Sequence, residues 1–107
     1  MAFYELRQYH IRRGKMDEWL KFMEEVIIPF QVSKGMVITG SFKHETDSSV
    51  YIWMRRFNTE KERERLYKAV YQSEEWQENI SPTVGKLIDR EKIQVQRLIP
   101  TKKSSVQ

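Results

Sequence analysis

Cysteine is absent from the 107 residues. Disulfides, thiolate nucleophiles, iron–sulfur clusters and zinc ribbons are excluded together, and a reducing, cytoplasmic setting is expected. Histidine occurs only at positions 10 and 44. Two lone imidazoles do not make a structural zinc site, so neither a metal nor another cofactor is expected. The four glycines stand isolated at 14, 35, 40 and 85, which leaves no glycine-rich phosphate loop. No Ser/His/Asp order and no paired catalytic carboxylates stand out, so nucleotide binding and hydrolase chemistry both fail. No apolar run reaches the roughly 18 residues of a membrane span, and no membrane insertion is expected. The first strand starts so close to Met1 that no signal or transit peptide is expected.

The net charge of +4 includes Lys102 and Lys103 of the polar stretch Thr101 to Gln107, which reads as a disordered tail. The rest is only mildly basic. Arg12-Arg13 and Arg55-Arg56 are pairs rather than a stripe, and no nucleic-acid partner is expected. What the chain does have is aromatic bulk and charge: 12% aromatic, 32% charged, 39% hydrophobic. A single small domain of this kind often completes its core against a second copy, so a homodimer is expected.

Phe3 to Arg12 alternates as a strand, with Phe3/Glu5/Arg7/Tyr9/Ile11 on one face and Tyr4/Leu6/Gln8/His10/Arg12 on the other. From Lys15 to Ser33 the period becomes helical. Met16, Leu20, Met23, Ile27 and Phe30 form a stripe that Trp19, Phe22 and Val26 widen to roughly 160°. Pro29 predicts a kink or break near Ile28, and Gly35 a stop. Met36 to Glu45 and Val50 to Phe57 read as a hairpin about the turn Thr46–Ser49, with Gly40 a bulge or close-approach point. Thr59-Glu60-Lys61-Glu62 is a capping box opening a helix to Tyr71, with Leu66, Ala69 and Val70 inward. Ser73 caps a short helix carrying Trp76 and Ile80, and Ser81-Pro82 repeats the start signal. A last strand runs from about Glu91 to Ile99.

The order β-α-β-β-α-β is a split βαβ unit, an α+β ferredoxin-like antiparallel sheet. The right-handed crossover rule puts the first and third strands at the centre and both helices on one face. The other face needs solvent or a partner.

Tyr4-Glu5-Leu6-Arg7-x-Tyr9, followed by Gly14-Lys15 and Trp19, resembles the opening of NIPSNAP domains. Val50-Tyr51-Ile52-Trp53-x-Arg55 and the helix Glu60 to Arg65 resemble that family's middle, and Ser73-Glu74-Glu75-Trp76 its segment after the second helix. The similarity covers about residues 3 to 100, so one NIPSNAP-like domain is expected over 1–100. The resemblance implies a dimeric α+β barrel, two ferredoxin-like sheets face to face with helices outside. Relatives of that architecture include metal-free monooxygenases, isomerases and haem-binding proteins, while the family itself has no generally assigned reaction. Its animal members are associated with mitochondria and trafficking; no N-terminal targeting extension is expected here, so that part of the family's biology is not carried over.

His10 is a candidate general base or haem ligand, or else a hydrogen-bonded strand residue; His44, beside a turn, favours the plainer role. Arg55 or Arg56, on opposite faces of their strand, can reach Glu5 across the ladder. Together with Arg7 this makes either an anion clamp or a salt bridge lining the barrel. Tyr9, Tyr51 and Trp53, with Trp19 from the helix, line a pocket for a flat apolar ligand or simply fill the core. Two functions follow. One is a homodimeric protein binding a small apolar or aromatic molecule, acting as a cofactor-independent oxygenase or isomerase. There His10 or Tyr9 accepts a proton and an arginine holds an oxyanion. The alternative is a non-catalytic interaction or scaffold protein. Adjacent strand residues point opposite ways, so Arg7/Tyr9 and His10 cannot all serve one pocket.

Overall fold

The alternation at the N-terminus folds as expected. In a computed structural model describing residues 1–107, Phe3–Ile11 forms strand β1. The long amphipathic segment becomes three stacked pieces: α1 (Met16–Phe22), a π-helical segment (Met23–Ile27) and α2 (Ile28–Ser33). The hairpin strands are β2 (Val37–Lys43) and β3 (Val50–Phe57). Helix α3 (Glu60–Tyr71), a second π segment (Glu75–Ile80), α4 (Ser81–Leu87) and strand β4 (Ile88–Leu98) complete the chain.

Pro29 does not break the helix. The Ile28 N–H bonds back five residues to Met23, so the turn before the proline is widened and the rod runs on to Ser33. The same device precedes Pro82, where the Ser81 N–H reaches Trp76. Helix α4 starts at Ser81 with Pro82 in its first turn, continuous with the π segment, and no side chain caps it. Ser73 does cap, accepting from the Trp76 N–H at 3.2 Å. Thr59 accepts from the Glu62 N–H at 3.0 Å, while Glu62 reaches back to Asn58 rather than to Thr59. Gly35, at φ 106°, occupies the left-handed region after α2.

The antiparallel sheet has the order β2-β3-β1-β4, with β1 and β3 central. Register slips between Ile38 and Gly40 of β2, next to the predicted glycine. A larger irregularity lies opposite Tyr9: Gln8 pairs with Gln94 but His10 with Asp89, so Arg90–Ile93 bulge from β4. That bulge explains why β4 begins before Glu91. Ile88 and Asp89 pair first, then the charged run leaves the ladder.

The helices cover one face of the sheet, where β3 buries Tyr51, Trp53, Arg55 and Phe57. The core has two apolar parts. One holds Tyr9, Trp19, Tyr51 and Trp53; the other holds Phe3, Met36, Phe57, Leu66 and Val70. On the opposite face Ile52 pairs with Phe42 and Gln8, and Leu6 with Met54 and Gln96. No helix covers that face, and Phe42 is 55% exposed. Residues 101–107 contain turns without regular structure, and Arg56 donates to the Gln107 carbonyl at 2.8 Å. No helix is long and apolar enough to cross a membrane.

Candidate functional site

Between the two apolar parts, β1 and β3 set Glu5 opposite Arg55, and both are fully buried. Buried charge is tolerated only when paired and hydrogen-bonded. Arg55 Nη2 donates to Glu5 Oε1 at 2.7 Å and to the Tyr67 hydroxyl at 2.9 Å. Its Nη1 donates to Gln31 Oε1 at 2.8 Å and to the Tyr71 hydroxyl at 2.7 Å. Glu5 further accepts from Tyr67 at 2.5 Å and from Arg63 Nε at 3.0 Å. Burial alone would raise the Glu5 carboxyl. The Arg55 charge and the hydrogen bonds from Tyr67, Arg55 and Arg63 outweigh it, holding the pKa at about 2. Burial opposes the Arg55 charge too, yet Tyr71, Tyr67 and Glu5 keep it firmly protonated. The Tyr67 hydroxyl, chiefly through burial, is pushed up to about 12.

One rung along β1, Arg7 leaves this network for open space. Its Nη1 lies 3.5 Å from Glu5 and donates to Tyr67 at 3.3 Å, while Nε donates to the Tyr9 hydroxyl at 2.9 Å. Arg7, Tyr9, Trp19 and Trp53 line a cavity of about 160 Å3 between sheet and helices. Met23 and Ile27 from the first π segment and Trp76 from the second form apolar wall. π segments recur at functional sites because they re-aim side chains that a regular helix would place elsewhere. The β4 bulge contributes Ile93 and Arg90, whose Nη2 donates to the Ser81 carbonyl at 2.5 Å and hydroxyl at 2.8 Å.

Burial raises the Tyr9 pKa against the pull of the Arg7 charge, so Tyr9 is a neutral phenol at physiological pH. Its hydroxyl accepts from Arg7 and keeps its own proton to donate.

The structure thus gathers Arg7, Tyr9, Trp19 and Trp53. Tyr51 packs behind them, its ring against Tyr9 and Trp19 and its hydroxyl 2.5 Å from Ser41. Arg55 stands behind the cavity as the partner of Glu5. His10 does not line this cavity. Its side chain belongs to the opposite sheet face, as strand alternation requires, and it borders a second hollow beside the β4 bulge that Gln8, Tyr9 and Glu91 also line. His44 accepts from the Thr46 and Asp47 N–H groups at 3.2 and 2.9 Å, a turn residue.

Sequence reasoning missed Arg63, Tyr67, Tyr71, Gln31 and Arg90. Positions 63, 67 and 71 repeat every four residues and form one stripe of α3, so periodicity contained the signal. That stripe adjoins the Leu66/Val70 row, and both face the sheet. Nothing local marks Arg90, which reaches the cavity only because β4 bulges.

The model of the NIPSNAP family matches residues 4–105. The chain is similar to the crystal structure of a NIPSNAP family protein from Agrobacterium tumefaciens, with 27% identity, full coverage of both chains and a TM-score of 0.88. A NIPSNAP-like domain protein from Burkholderia xenovorans matches at 21% identity over 96% of this chain and 88% of that one, TM-score 0.85. A second A. tumefaciens NIPSNAP protein, of unknown function, matches at 21% identity over 99% and 94%, TM-score 0.88. No curated protein matches.

Proposed function

Because this chain belongs to the NIPSNAP family, we propose that it is a homodimeric protein that binds a small apolar or aromatic molecule in the cavity beside Arg7 and Tyr9. The observation that carries this reading is the cavity of about 160 Å3, with a guanidinium and a phenol at one side and indole rings around it. Small domains ordinarily close their cores to crystal-like density. An open space that also meets convergent polar groups supports a ligand site. Isomerase or cofactor-independent oxygenase chemistry would use Arg7 to hold a developing oxyanion and Tyr9 to deliver a proton. Neither a carboxylate nor an imidazole lines the cavity, so its own residues supply an acid and a cation rather than a base.

The open sheet face supports the dimer. Phe42, Ile52, Met54 and Leu6 occupy neighbouring rungs there, and a second copy in the manner of a dimeric α+β barrel would cover them. His10 would then lie at the subunit interface. The cysteine-free composition supports a cytoplasmic location.

Native mass spectrometry of protein purified from its own source tests both parts together. The expected result is a dimer retaining a small-molecule mass that is lost on denaturation. Dimers with nothing bound, together with no NMR response to benzene or toluene, would replace this reading with the non-catalytic scaffold.

A further inference from the structure

The polar lining of the cavity consists entirely of groups that present hydrogens. Arg7 and Arg90 are cations; Tyr9, Tyr71 and Ser81 are hydroxyls; Trp19, Trp53 and Trp76 carry indole N–H groups. The lining contains no carboxylate, amide or imidazole. All three hydroxyls are already committed as acceptors: Tyr9 receives Arg7 Nε at 2.9 Å, Tyr71 receives Arg55 Nη1 at 2.7 Å, and Ser81 receives Arg90 Nη2 at 2.8 Å. Their own protons remain to be donated. The indole N–H groups of Trp19 and Trp53 are buried without any acceptor. Leaving such a donor unpaired costs about 1–3 kcal/mol.

The charge count points the same way. Glu5 faces Arg55, Arg63 and Arg7 at once, and Arg55 and Arg63 hold it by the shorter contacts. Arg7 is therefore the under-compensated cation, and it is the one that borders the cavity. A planar guanidinium presents a fork that matches a carboxylate. The remaining wall is apolar and aromatic, and a cavity of about 150 Å3 is enough for benzene.

Resting on the ligand-binding reading above, we infer that the cavity takes a monocarboxylate carried on a single ring or comparably small apolar body, its carboxylate held by Arg7 with Arg90 at the rim. The Tyr9 and Tyr71 protons then find an acceptor, and the charge left over finds its counterion. A neutral ring would satisfy the walls but none of these groups. A phosphate would satisfy the charge but leave the apolar walls facing a strongly hydrated ion.

The test is titration calorimetry of the full chain with benzoate, benzamide and inorganic phosphate, alongside NMR of the indole N–H resonances. Benzoate is expected to bind about ten-fold more tightly than benzamide, the ratio of one charge-assisted hydrogen bond. It should also shift the Trp19 or Trp53 indole signals. Arg7→Gln should abolish the ratio. Arg90→Gln, at the solvent edge and remote from the Glu5 network, should reduce the ratio several-fold even if the Arg7 variant fails to fold. Benzamide binding as well as benzoate would overturn the carboxylate while leaving the small-molecule reading intact. Phosphate competing as well as benzoate, or a ratio unchanged in every variant that folds, would overturn it equally. If neither ring compound binds and benzene also leaves the spectrum unchanged, both readings fall.

Discussion

The Glu5 carboxylate lies 2.7 Å from the Arg55 guanidinium, and this fully buried pair divides the apolar core into two parts. Phe3 and Phe57 pack on one side of the rung, Tyr9 and Trp53 on the other. A charged rung in that position is stable only while every member is held, which gives it consequences out of proportion to its size.

Glu5→Gln keeps the shape of the side chain but leaves Arg55 buried without a counterion. Breaking a buried pair this way costs about 3–5 kcal/mol. Urea denaturation should show the midpoint falling by that equivalent at an unchanged slope; a loss below about 1 kcal/mol would mean the pair is not the keystone described here.

The same carboxyl predicts a pH limb. Its folded pKa is depressed from the ordinary 4.5 to about 2, so its stabilisation is complete above the unfolded value and is lost as pH falls toward 2. Stability measured by denaturant across that window should decline in the wild type. The gap between wild type and Glu5→Gln should narrow as the pH drops.

Thr59 holds the start of α3 through one hydrogen bond from the Glu62 N–H at 3.0 Å. Thr59→Ala should cost about 1 kcal/mol, read as a lower thermal midpoint with cavity binding preserved.

Gly35 combines φ 106° with close packing, since a Cβ there would sit 3.1 Å from Leu66 Cδ2. Gly35→Ala should destabilise by more than about 1 kcal/mol. By contrast, a Cβ at Gly14 would meet nothing within 4 Å, so the strain of its φ of 75° would act alone and Gly14→Ala should cost less.

Ile52 sits on the open sheet face between Gln8 and Phe42. Ile52→Lys should convert the proposed dimer to monomer in sedimentation equilibrium while the circular dichroism of the fold persists. A wild-type chain that is monomeric at micromolar concentration would remove the dimer altogether.

Much of this molecule was legible in its sequence because local patterning was strong. Strict alternation in Phe3–Ile11 and Val50–Phe57 placed Glu5, Arg7 and Tyr9 on one face and His10 on the other. The capping box located α3, and crossover handedness ordered the strands. Short-range chemistry dictated each of these. Which arginine meets Glu5 was open in sequence, because Arg55 and Arg56 are adjacent and the choice depends on which face the helices cover. The stripe Arg63, Tyr67, Tyr71 was present as periodicity but gained meaning only when α3 docked over the rung. The π turns before Pro29 and Pro82, and the bulge that carries Arg90 into the cavity, arise from fitting helix and strand to the sheet. The sequence alone determined the elements, their order and the facing of each strand residue. Tertiary structure alone decided which polar groups became buried partners and which were left with protons to donate, because burial is a property of the packed layers and not of any one segment.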